Sequence, residues 1–205
     1  PWAWDLAQAA GWSHLGLMTG PCNDWYRRRA IFDFFDGLRD SGFYRRFDDV
    51  VFYGTSMGGF AACTFVASAP GARVVAISPL DAQSCLRLAG RAVVLVDPYH
   101  AADMAHVARL PDTRLTVLRC PFMGHRIPHH LAALGGFGGL MRGLLEGQGH
   151  DGFAAHLRRR KGSVSYHKGL VKAALARGHP GLAGQVLNHY GRLPDAPPVP
   201  QLAAR

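Results

Sequence analysis

Asp49-Val50-Val51-Phe52-Tyr53-Gly54-Thr55-Ser56-Met57-Gly58-Gly59-Phe60-Ala61-Ala62 is the stretch on which the reading of the whole chain turns. The β-branched and aromatic run over residues 50–53 predicts a buried strand. The run rich in Ala, Phe and Val over residues 59–69 predicts a helix packed on that strand. Between them stands Gly54-x-Ser56-x-Gly58, a strand-to-helix turn whose glycines let the two elements approach closely and whose serine hydroxyl projects above the sheet edge. A phosphate-binding loop would need Gly-Lys-Ser/Thr here, and a dinucleotide turn would need G-x-G-x-x-G. Neither pattern is present at this turn.

The 205 residues, 48% hydrophobic and 18% charged, suffice for one main globular domain with a real core. No run approaches the ~20 apolar residues of a membrane span, and no charged start followed by an apolar stretch marks a signal peptide. The chain opens at Pro1 directly in a helical pattern, so further residues are expected upstream. Cys22, Cys63, Cys85 and Cys120 are far apart, with no C-x-x-C pair, which fits a reducing cytoplasm and offers no zinc-ligand spacing. No metal or organic cofactor is implied.

The net charge of +9 is unevenly placed. Residues 1–141 carry 13 Arg and Lys against 11 Asp, whereas residues 142–205 carry 10 against 3 acidic residues. The densest basic run, Arg158-Arg159-Arg160-Lys161, is either a binding surface for an anionic partner (phosphate, lipid head group or nucleic acid) or a solvated helix end.

Taken in order, residues 3–11 read as a short helix closed by Gly11, residues 14–19 as a strand, and residues 25–41 as an amphipathic helix with Ile31, Phe34, Phe35 and Leu38 on its apolar face. After the central stretch come strands at 73–79, 92–98 and 114–121. Each is followed by a helical pattern: residues 81–88, residues 101–110, and a glycine-interrupted stretch after Pro128. Nearly continuous apolar strands alternating with helices predict an α/β fold, a mostly parallel sheet covered on both faces. Ligands of such sheets sit at the carboxyl ends of the strands. Those ends carry Ser56, Ser78, Asp97 and the turn Phe122-Met123-Gly124-His125.

Ser…Asp…His in that chain order, with the serine in its glycine-flanked turn, resembles the α/β-hydrolase superfamily, of a serine esterase-like kind without a cap domain. The resemblance covers roughly residues 1–140, and by it some N-terminal strands of the fold would lie upstream of Pro1. It implies Ser56 as nucleophile, His125 as general base and the backbone N–H of Met57 as one oxyanion donor. The second donor would then come from a loop before Pro1. His100, His129 and His130 also lie near strand ends, with structural or solvent-exposed roles as the simpler reading. For the acid, Asp97 at the strand exit and Asp103 one turn later both fit, and Asp97 is the residue expected. Asn23 and Trp25 border the same end, where an N-cap and rim packing account for them.

Past residue 147 no strand signal remains. Residues 148–191 read as a helical extension in which residues 165–177 and 180–190 form a hairpin that looks like a single tetratricopeptide-type unit. Residues 192–205 read as a flexible tail. The function expected is a serine hydrolase cleaving a carboxylic ester (an acyl or acetyl group on a small molecule) through an acyl-enzyme intermediate. The alternatives are an acyltransferase with the same triad and a non-catalytic hydrolase-like scaffold.

Overall fold

The structure, a computed structural model, describes residues 3–18, 20, 24–80, 91–110, 115–148 and 150–192. Four strands, β1 (Val51–Thr55), β2 (Arg73–Ile77), β3 (Ala92–Val96) and β4 (Leu115–Arg119), pair in chain order, and every pairing is parallel. The helices are α1 (Trp4–Ala10), α2 (Arg29–Asp40), α3 (Met57–Phe65), α4 (Ala101–Val107), α5 (Ile127–Ala133), α6 (Phe137–Leu145), α7 (Asp151–Arg158), α8 (Val164–Ala176) and α9 (Pro180–Tyr190).

Both faces of the sheet are buried, and the period-2 alternation of strand side chains sorts them into two cores. Val74, Ala76, Val94 and Val96 pack with Phe60 and Cys63 of α3 and with Val107 of α4. Their neighbours Val75, Ile77, Leu95 and Leu118 pack with Ile127 and Leu131 of α5, Met141 and Leu144 of α6, and Phe153 and Leu157 of α7. Helix α7 thus packs into the second of these cores. Beyond it, α8 and α9 close on a smaller cluster of Val171, Ala174 and Ala183. Arg73, at the start of β2, pairs with Asp49 and donates to the carbonyls of Leu144 and Leu145, which ties the end of α6 to the sheet.

Two expectations need correction. Residues 14–18 are not a strand: the carbonyl of Leu17 accepts from Tyr26 Oη at 3.2 Å, Gly16 weakens the pleat, and Leu15 and Met18 are exposed. The helix expected over 25–41 begins only at Arg29, because Trp25 and Tyr26 take left-handed backbone angles in a turn held by Asp24, whose Oδ1 accepts from Tyr26 N at 3.1 Å. On α2 it is Phe35 that is buried, stacked on Phe65 with ring centroids 4.2 Å apart, while Phe34 is exposed. The helix expected over 81–88, Asn23 and the tail from 193 onward lie outside the described residues.

The turn from β1 into α3 is as tight as its glycines allow. A Cβ on Gly54 would overlap the carbonyl oxygen of Gly58, whereas one on Gly58 would meet nothing within 4 Å. Gly54→Ala is therefore expected to destabilise the fold by about 3 kcal/mol or more, and Gly58→Ala by no more than about 1 kcal/mol. Urea unfolding of the two variants measures the difference; equal midpoints would contradict this account of the turn.

Candidate active site

The last rungs of the sheet reach one residue past β1, β2 and β4 and hold the site in place. Ser56 N donates to Ile77 O, Ser78 N to Leu95 O and Cys120 N to Val96 O, each at 2.8 Å. Ser56 itself lies at φ 54°, ψ −119°, a backbone conformation in which a side chain is strained. Immediately after it α3 begins with Met57, whose N–H is among the first-turn amides that have no partner within the helix.

Ser56 Oγ lies 2.8 Å from His125 Nε2, and His125 Nδ1 lies 2.9 Å from Asp103 Oδ1. Three side chains from the ends of β1, β4 and the first turn of α4 thus form one hydrogen-bonded line. Asp103 is fully buried (0% exposed), and its Oδ2 has no hydrogen-bond partner among the described residues. His129 and His130 pair with each other on α5, with ring centroids 5.8 Å apart. Burial first, then the charges of His129 and Arg126, hold the His130 imidazole below its usual range.

Asp97, the acid expected from the sequence, is not the carboxylate at the imidazole. Its Oδ1 accepts from Tyr99 N at 2.9 Å and its Oδ2 from Gly124 N at 2.6 Å. The physical reason is chain direction: Pro98 turns the backbone at the strand exit, so Asp97 folds onto the two neighbouring turns while Asp103 is carried to His125 by the start of α4. Asp97 holds the turn that bears His125, a turn with left-handed angles at Phe122 (φ 64°) and Gly124 (φ 57°). The outer side of that turn is braced by the C-terminal hairpin. Phe122 stacks on Tyr99 at 4.4 Å and meets Tyr166 of α8 edge-on at 5.9 Å. A Cβ on Gly169 of α8 would lie 2.9 Å from the Phe122 carbonyl oxygen.

Other residues singled out in the sequence find quieter places. Ser78 is buried at φ 44°, and its Oγ has no partner among the described residues. Burial pushes the Cys63 thiol up to about 12 and raises that of Cys120 as well, so neither offers a ready thiolate. Within the basic run, Arg159 donates to the carbonyls of Leu134 and Gly135, and Arg160 donates to that of Leu157 and lies over the Tyr166 ring. Arg158 and Lys161 remain exposed. Among the described residues no helix is long and apolar enough to cross a membrane.

His100, Asp103 and His125 bring two Nδ1 atoms and a carboxylate oxygen within 4.8 Å of one another, close enough in distance for a shared cation. In the structure these atoms face one another, with Oδ1 of Asp103 2.9 Å from each nitrogen. No protein-family model, curated protein or solved structure matches the chain.

Because Asp97 pairs two backbone N–H groups in a buried setting, Asp97→Ala is expected to cost about 2–4 kcal/mol, with Asp97→Asn intermediate since one amide oxygen still accepts. Chemical unfolding measures the loss. Wild-type stability in Asp97→Ala would show that the turn does not depend on this carboxylate.

Proposed function

We propose that the chain is a serine hydrolase of α/β-hydrolase type that cleaves a carboxylic ester through an acyl-enzyme intermediate. The observation that carries the reading is the continuous line from Ser56 Oγ to His125 Nε2 and from His125 Nδ1 to Asp103 Oδ1, at 2.8 and 2.9 Å, with the serine on a strained turn at the head of α3. A free hydroxyl is a poor nucleophile, and a base within hydrogen-bond reach corrects that.

In this reading Asp103 accepts the Nδ1–H of His125 and so leaves the Nε2 lone pair directed at Ser56. As Ser56 Oγ forms its bond to the acyl carbon, its proton passes to Nε2 and the carbonyl π pair moves onto oxygen. The Met57 N–H donates to that oxyanion. The tetrahedral species collapses, the ester C–O bond breaks, and Nε2–H protonates the departing alkoxide. Water then attacks the acyl-serine with His125 again as base, which releases the carboxylic acid and restores the hydroxyl. Asp103 carries no proton at any step. It orients the imidazole and balances the imidazolium.

A fluorophosphonate probe with peptide mapping tests this directly. Wild type is expected to be labelled on Ser56 and Ser56→Ala not at all. His125→Ala and Asp103→Asn are expected to react slower by about three orders of magnitude or more, the Asn because its amide donates to Nδ1 and turns Nε2–H toward the serine. Labelling of folded wild type that is absent, or that survives Ser56→Ala, would overturn the proposal.

A further inference from the structure

His100 lies outside the line from Ser56 to Asp103, yet its Nδ1 is 2.9 Å from Asp103 Oδ1, the oxygen that His125 Nδ1 meets at the same distance. The two imidazole rings lie 5.7 Å apart between centroids, tilted by 32°. The same His100 nitrogen also caps α4, accepting from Asp103 N at 3.4 Å. One ring nitrogen offers a lone pair or a proton, never both. The two contacts therefore belong to two forms of the ring: with its lone pair at Nδ1 it accepts the Asp103 N–H, and with a proton at Nδ1 it presents a donor to Oδ1.

We propose that His100 is a positioning residue that shares Asp103 with His125, supporting the buried carboxylate and so keeping it in line with the imidazole that faces Ser56. This rests on the serine-hydrolase reading and specifies how the same site is tuned.

The need for a second partner follows from burial. Asp103 is sealed from solvent and Oδ2 has no partner among the described residues, so support for an ionised carboxylate falls on Oδ1. The charged and titratable groups around His100 come from every side of the site. They are Asp103 on its own helix, Asp97 at the exit of β3 (whose carbonyl accepts from His100 N at 3.0 Å), His125 on the β4–α5 turn, and Arg177 after α8, stacked over the adjacent Tyr99 ring. The His100 side chain is 36% exposed, so its replacement opens no sealed cavity.

The test is the fluorophosphonate labelling rate in wild type, His100→Phe and His100→Gln, with Ser56→Ala as the control. In His100→Phe the rate is expected to fall by severalfold, because Asp103 loses a partner. His100→Gln, whose amide can donate to Oδ1, is expected to recover most of the rate, a rescue that a merely space-filling role would not produce. Ser56-dependent labelling at the wild-type rate in both variants, or an equal fall in both, overturns the role of His100 alone. Absence of Ser56-dependent labelling in wild type overturns the hydrolase reading and this inference together.

Discussion

The turn at Ser56 is the constraint from which the rest of the site takes its place. To pass from β1 into α3 within one residue, the chain holds a non-glycine residue at φ 54°, ψ −119°, which costs of order 1–3 kcal/mol. That strain persists because the surroundings leave no alternative. Ser56 N is committed to Ile77 O, Phe60 N returns to Ser56 O at 3.0 Å, and Phe60, Ala62, Cys63 and Phe65 of α3 are buried. Since the acceptor belongs to β2, the serine is set only when the β1–β2 register, with Thr55 opposite Ile77, is correct. Strand pairing, backbone strain and hydroxyl placement are one event.

Two buried aspartates, six residues apart, divide the remaining work. Asp97 spends both oxygens on backbone amides, one in its own turn and one in the turn after β4. Asp103 meets only side-chain imidazoles on its Oδ1. A carboxylate saturated by backbone donors fixes a turn, whereas one that faces imidazoles fixes the orientation of those rings. Exchanging their roles would leave the His125 turn without its anchor.

The sheet was legible because its strands are short β-branched runs bounded by Gly and Pro, and because burial on both faces makes such runs nearly continuous. The Gly54-x-Ser56-x-Gly58 turn was legible for the same local reason, although Gly54 alone carries the close approach that the motif implies for both. Residues 14–18 misled because Leu15 and Leu17 alternate as strand residues do, while nothing in a local pattern says whether a neighbouring edge will pair with them. The choice between Asp97 and Asp103 was illegible on a different ground. Both lie past the same strand, and only the turn through Pro98 and the placement of α4 decide which carboxylate reaches a histidine more than twenty residues away. The second imidazole on Asp103 was hidden likewise, since the i, i+3 spacing of His100 and Asp103 reads as an ordinary helix start.

The C-terminal hairpin contributes nothing to the Ser56–His125–Asp103 line itself, yet it touches that line through packing. The turn that presents His125 has two left-handed residues, one of them Phe122, so it needs support from outside its own hydrogen bonds. Asp97 supplies that support from within the sheet, and α8 supplies it from outside through Tyr166 and the close approach of Gly169 to the Phe122 backbone. Part of the basic charge that makes this region look like a docking surface is taken up in the same contact. Arg160 lies over Tyr166 and Arg177 over Tyr99, each 5.1 Å from the ring centroid, so these two cations clamp the aromatic wall beside the turn. A movement of α8 relative to the sheet would therefore reach His125 through Phe122 before it reached any other group in the Ser56–His125–Asp103 line.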